Sequence, residues 1–82
     1  MERHGLRRVL HTLGANIHRL RRAAGLTQHD LARRAAMHAR HFQKIEAGEN
    51  NATVNSLVGI ARALDVEVAD LFQSHRNGRA AS

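Results

Sequence analysis

The 82-residue chain carries 13 Arg/Lys against 7 Asp/Glu, a formal charge of +6, with no Cys, Pro, Trp or Tyr and only two Phe. One domain near the lower size limit for a self-sufficient core is expected, and the lack of cysteine excludes both a disulfide framework and a thiolate metal cage. No apolar run reaches membrane-spanning length or reads as a signal peptide, so a reducing, cytoplasmic location is the simplest expectation.

The apolar positions Leu6, Leu10, Leu13, Ile17, Leu20 and Ala24 recur every three or four residues, which is helical periodicity, and Gly25 supplies a stop. Gly5 and Gly14 interrupt this run, so the reading places the helix start near Leu13, after a looser turn or separate helix. A second helix opens at Thr27, with Asp30 three residues on as its capping partner, and turns Leu31, Ala32 and Ala35 inward. After a short break a third helix is predicted over 39–47, with Phe42 and Ile45 inward and Gly48 ending it. Thr53 caps a fourth helix ending at Leu64, with Leu57, Ile60, Ala61 and Leu64 inward. Residues 68–73 are predicted as a short closing helix, because a strand at Val66–Val68 would have no partner. The intended division is a helical extension (1–12), a domain (13–73) and a disordered tail (74–82).

Charge is unevenly spread. Residues 1–44 hold ten Arg/Lys against two acids, a net of +8, and residues 45–82 hold three against five, a net of −2. One face directed at a polyanion, nucleic acid first, is the implication, and an arginine-rich solvated surface is the plainer alternative.

Two short helices joined by about three residues, with Ala32 where they must approach closely, make a helix-turn-helix. At 100° per residue, burying Phe42 and Ile45 turns Arg40, Gln43, Lys44 and Ala47 outward, flanked by Ala39 and His41. Arg and Lys can pair with guanine O6/N7, and Gln can use its amide on adenine. The alternative for such a face is ordinary solvated helix surface.

The stretch "LGANIHRLRRAAGLTQHDLARRAAMHARHFQKIEAGENNATVNSLVGIARALDVEVADLF", residues 13–72, resembles the Cro/C1-type (XRE-like) helix-turn-helix family. The pieces that carry the resemblance are "GLTQHDLA", "IEAGENN" and "IARALDVEVADLF", in order and correctly separated. The resemblance implies an all-α, five-helix, lambda-repressor-like bundle, to which residues 1–12 add an N-terminal helical extension. It implies base contacts from Ala39, Arg40, Gln43 and Lys44, and phosphate contacts from Gln28, His38, His41, Asn50 and Asn51. It also implies an ion pair between Arg21 and Glu46 that clamps the first helix to the third. The chain departs from the family pattern at Ala36, where glycine is usual and a left-handed turn would cost about 1 kcal/mol. It departs again at His38 (usually Ser or Thr), Ala52 (usually Pro) and Asp65 (commonly Gly).

His38 and His41 are three residues apart, but a metal needs a third ligand, which would have to come from His29; no metal or other cofactor is expected. His4, His11 and His18 recur every seven residues as a solvated or dimer-edge stripe. No catalytic arrangement or phosphate-cradling glycine loop is present, so an enzyme is not expected.

The functional expectation is a sequence-specific, DNA-binding transcriptional repressor, associated with the nucleoid and bound as a homodimer to a pseudo-palindromic operator. Leu64, Val66, Val68, Leu71 and Phe72 are the expected dimer surface, and the Leu6/Leu10/Leu13/Ile17 stripe is a rival one. The alternative is a protein-interaction adaptor or antitoxin whose partner protein docks on the N-terminal extension. A basic RNA-binding module is a third reading, disfavoured because this chain has no aromatic platform on which bases could stack.

Overall fold

The computed structural model describes residues 3–74, with side chains from residue 5 onward; the rest of the expected tail and the His4 side chain lie outside the described residues. Four helices run in order, α1 (Arg3–Ala23), α2 (Gln28–Arg34), α3 (Ala39–Glu46) and α4 (Val54–Leu64), followed by a closing 3-10 helix (Val68–Phe72). Among the described residues no helix is long and apolar enough to cross a membrane.

The first helix is longer than its glycines suggest. Gly14, expected to delay the helix start, lies in mid-helix with residues 3–12 forming the preceding turns of the same rod. A mid-helix glycine costs about 1 kcal/mol relative to alanine. Here it sits where α1 crosses the end of α3. A Cβ would stand 2.9 Å from the Ile45 carbonyl oxygen and closer still to that of Glu46. The glycine interrupts the apolar pattern because another backbone occupies its side-chain space.

The core is built from Leu13 and Ile17 of α1, Leu31 and Ala32 of α2 with Ala35 at its C-cap, Phe42 and Ile45 of α3, Leu57, Ile60 and Ala61 of α4, and Leu71. Of the apolar stripe on α1, only its middle is fully buried. Leu10 and Leu20 are half-buried, Ala24 is exposed, and Leu6 and Val9 are 51% and 46% exposed. The N-terminal turns therefore extend beyond the packed bundle. A second close approach, at Gly59 of α4, would place a Cβ 2.9 Å from the Ala35 carbonyl oxygen and fixes α4 against α2.

Each of the four helices closes with the same paired hydrogen bonds around a left-handed residue. For α2, Ala36 N–H donates to the Arg33 carbonyl (3.1 Å) and Met37 N–H to that of Ala32 (2.9 Å). The left-handed residues are Gly25, Ala36 (φ 57°), Gly48 and Asp65 (φ 60°). Two are glycine and two are not. Asp tolerates this region through its short polar side chain, whereas Ala36 carries the Cβ–carbonyl crowding in full.

The fifth element is tighter than the closing α-helix expected over 68–73. Glu67 N–H donates to Asp70 Oδ2 (2.9 Å) at its start. At its end, Asn16 Nδ2 donates to the carbonyls of Leu71 (2.9 Å) and Gln73 (2.8 Å). Those carbonyls are satisfied by a side chain of α1, so further helical turns are not needed to pair them. Asn16 is 3% exposed, and Arg19 Nη2 donates to its Oδ1 (3.2 Å).

Candidate nucleic-acid interface

The roll of α3 about its axis is set by Phe42 and Ile45, both 0% exposed. With those two facing the core, the 3.6-residue period turns Arg40, Lys44 and Ala47 into solvent, and leaves Ala39, His41 and Gln43 half-buried. Ala39 packs partly against the core. Its methyl therefore offers a small apolar contact, while Arg40 and Lys44 offer two long cationic side chains on one exposed face.

The start of α3 lacks a side-chain cap. His38 occupies the N-cap position in extended conformation, and its side chain makes no capping hydrogen bond. By contrast α2 begins with a complete capping box. Asp30 N–H donates to Thr27 Oγ1 (3.0 Å), and Thr27 N–H donates to Asp30 Oδ2 (3.2 Å). The Thr27 backbone N–H, and then the Thr27 side chain, hold the Asp30 carboxyl below its ordinary range. This cap presents Gln28 as the first residue of α2. Asn50 and Asn51 are exposed in the loop between α3 and α4.

The clamp between α1 and α3 is a two-pronged ion pair. Arg21 Nε donates to Glu46 Oε1 (2.9 Å) and Nη2 to Oε2 (2.8 Å), while Nη1 reaches the Leu26 carbonyl (2.8 Å). The two side chains are only 10% and 5% exposed. His18 joins them, its Nδ1 2.6 Å from Glu46 Oε2. Burial pushes the Glu46 carboxyl up, but the hydrogen bonds from Arg21 and His18 outweigh it, and the group lies below its ordinary 4.5. The hydrogen bond to Glu46 raises the Arg21 guanidinium in turn. A carboxylate at a helix C-terminus opposes the helix dipole; here Arg21 supplies the counter-charge and His18 a further hydrogen bond.

Sequence reasoning placed His18 in a histidine stripe with His4 and His11 and did not connect it to Glu46. The available signal was its i, i+3 spacing from Arg21, which puts both on one face of α1. Asn16 was not singled out at all, although a lone amide beside Leu13 and Ile17 on a core-facing stripe is the pattern of a buried donor. Among the described residues no three His, Asp or Glu side chains gather closely enough to hold a metal ion.

One expected interface residue is placed elsewhere. Leu71, assigned to a dimer surface with Leu64, Val66, Val68 and Phe72, is 0% exposed and belongs to the monomer's own core. Because Asn16 draws the 3-10 helix onto α1, Leu71 turns inward. Leu64, Val66 and Val68 are half-buried, and Phe72 stays 39% exposed.

Comparison with known proteins bears on this arrangement. The family described as "Helix-turn-helix domain" matches residues 12–72. The uncharacterised HTH-type transcriptional regulator y4dJ of Sinorhizobium fredii is 37% identical over 59 residues, covering 72% of this chain and 77% of its own. The crystal structure of the restriction-modification controller protein C.AhdI from Aeromonas hydrophila superposes with a TM-score of 0.75 at 32% identity, over 77% of this chain and 96% of that one. The hypothetical transcription factor NHTF from Neisseria shares the fold at 20% identity, with a TM-score of 0.84 over 90% of this chain and 85% of its own.

Proposed function

The chain belongs to the Cro/C1-type helix-turn-helix family, and from that premise we propose that it is a sequence-specific, DNA-binding transcription regulator acting as a repressor. In this reading α3 enters the major groove. Arg40 and Lys44 read guanine edges, Gln43 reads adenine, and Ala39 makes an apolar contact such as that with a thymine methyl. Gln28, His38, His41, Asn50 and Asn51 hold the flanking phosphates and fix the register. Two copies bind one pseudo-palindromic operator, their α3 helices about 34 Å apart in successive major grooves. Phe72, with the half-buried Leu64, Val66 and Val68, is one apolar surface for pairing, and Leu6 and Val9 of α1 form a rival one.

The observation that carries the reading is the roll of α3. The two residues it buries are the ones that turn both of its exposed cations, Arg40 and Lys44, to one face. The Arg21–Glu46 pair adds support, because it anchors the C-terminal end of the same helix to α1.

The test is fluorescence anisotropy on a duplex site enriched from random sequence, against a scrambled duplex, at two salt concentrations. Wild type is expected to prefer the enriched site by about 10³ or more, with two chains per duplex, and Arg40→Ala/Lys44→Ala is expected to lose that preference. If no duplex is preferred and binding simply collapses with salt, only phosphate attraction is present and a protein-interaction role replaces this one.

A further inference from the structure

Beside the proposed base-reading face lies a groove of about 470 Å³, walled by Arg33 at the end of α2, Ala36 and Met37 of the turn, the N-cap His38 and His41 of α3, and Ser56 in the first turn of α4. Three of its six walls carry N–H donors on charged or chargeable side chains and a fourth is a hydroxyl. Among the described residues none of its walls is a carboxylate. An imidazole has at least one N–H to donate in either protonation state.

From this geometry we infer that the groove is a seat for one phosphate of the operator backbone, with Arg33 as its anchoring cation and Ser56 as its second-side donor. The inference rests on the DNA-binding reading above and adds to it two residues, from α2 and α4, that the family resemblance did not suggest.

Each of the two has a donor to spare. Arg33 is exposed and uses one nitrogen on Asp30 (Nη2 to Oδ1, 3.1 Å). Its remaining N–H groups have no partner among the described residues. A guanidinium fork suits a tetrahedral phosphate, which can accept two of its hydrogen bonds. Ser56 Oγ accepts a hydrogen bond from Thr53 Oγ1 (3.1 Å). Its own proton is therefore available to point into the groove. His41 is the neighbour of Arg40 and lies three residues before Lys44, so the groove adjoins the face that would meet base edges. A phosphate seated there would lock the angle at which α3 enters the groove.

The experiment compares wild type, Arg33→Ala, Arg34→Ala and Ser56→Asp on the enriched and scrambled duplexes over a salt series. Arg34 is exposed on the same helix but does not line the groove, so the two arginine variants remove equal charge; besides the seat they differ in the exposed Arg33–Asp30 pair, whose loss is read separately as a change in melting temperature. Arg33→Ala is expected to bind about tenfold more weakly than Arg34→Ala on both duplexes, and to lower the salt slope by about one phosphate contact. Ser56→Asp puts an anion where the phosphate would sit, while an acid in the first turn favours α4. It is expected to melt no lower than wild type and to bind DNA at least about tenfold more weakly.

Equal affinities for Arg33→Ala and Arg34→Ala, or wild-type affinity for Ser56→Asp, would overturn the seat. Arg40→Ala/Lys44→Ala in the same series separates this from failure of the DNA reading itself. If wild type shows a site preference that the double variant lacks, only the seat is at stake.

Discussion

Gly14 of α1 lies against the carbonyls of Ile45 and Glu46 at the end of α3, with no room for a side chain between the two backbones. The contact fixes one end of α3, because the same Glu46 is gripped by Arg21 seven residues further along α1. Helix propensity and packing make opposite demands at this position.

Gly14→Ala tests which demand is stronger. Propensity alone would stabilise the protein by about 1 kcal/mol. Overpacking in a tight contact costs about 1–3 kcal/mol, and here the obstructing atoms are backbone, which cannot rotate aside. The expected result is a net loss of stability in urea denaturation, accompanied by weaker DNA binding as α3 is displaced. A raised melting temperature would show that the two helices can part at no cost.

The Arg21–Glu46 pair predicts a pH dependence of definite sign. The folded-state carboxyl lies below its ordinary 4.5. Stability from the pair is therefore fully present above that unfolded value and is lost as pH falls through the lower folded one. Glu46→Gln removes the titration and leaves Arg21 without its counter-charge, at a cost of about 3 kcal/mol near neutral pH. The gap between wild type and variant should narrow below about pH 4. Denaturation curves that stay parallel from pH 7 to about pH 3 would contradict the assignment.

Asn16→Asp changes almost no volume but removes both N–H donors that reach Leu71 and Gln73. It leaves carboxylate oxygens facing carbonyl oxygens. A loss of about 2 kcal/mol or more is expected, since buried acceptors would stand unpaired. Hydrogen exchange should find the amides of residues 68–73 deprotected before the rest of the bundle. Protection of those amides equal to wild type would mean that Leu71 alone holds the 3-10 helix in place.

Two departures from the family pattern are open to repair. Ala36→Gly relieves a left-handed alanine (φ 57°). After the entropy of the added glycine is subtracted, a gain of about 0.5 kcal/mol is expected. His38→Ser supplies the side-chain cap that α3 lacks, worth about 1 kcal/mol. The second repair should also weaken DNA binding, because the side chain proposed to reach a phosphate is shortened. Opposite changes in melting temperature and DNA affinity would identify His38 as a residue kept for contact at the expense of capping, and parallel changes would not.

The elements themselves were legible in the chain because their signals are local. Thr27 with Asp30, and Thr53 before Val54, mark helix starts through hydrogen bonds that span three residues. Phe42 and Ile45 fix the face of α3 through nothing more than the helical period. The Arg21–Glu46 pair was reached through the family resemblance, since no local rule joins residues that far apart. Its third member, His18, reads from spacing alone as part of a solvated or dimer-edge stripe.

What the sequence by itself determined is therefore the order of the elements, the inward faces of α2 and α3 and the cationic outer face of α3. What only the tertiary structure decided are the places where one backbone meets another element. Gly14 belongs inside a helix because the end of α3 fills its side-chain space. Leu71 belongs to the core because Asn16, 55 residues earlier, takes up the carbonyls of the 3-10 helix. Arg33 and Ser56 share a groove because α4 packs against α2 at Gly59. Periodicity and capping act within a turn or two of chain, so they report each element's own preferences. Contacts between distant segments depend on how the elements cross, and that is settled only when the core closes.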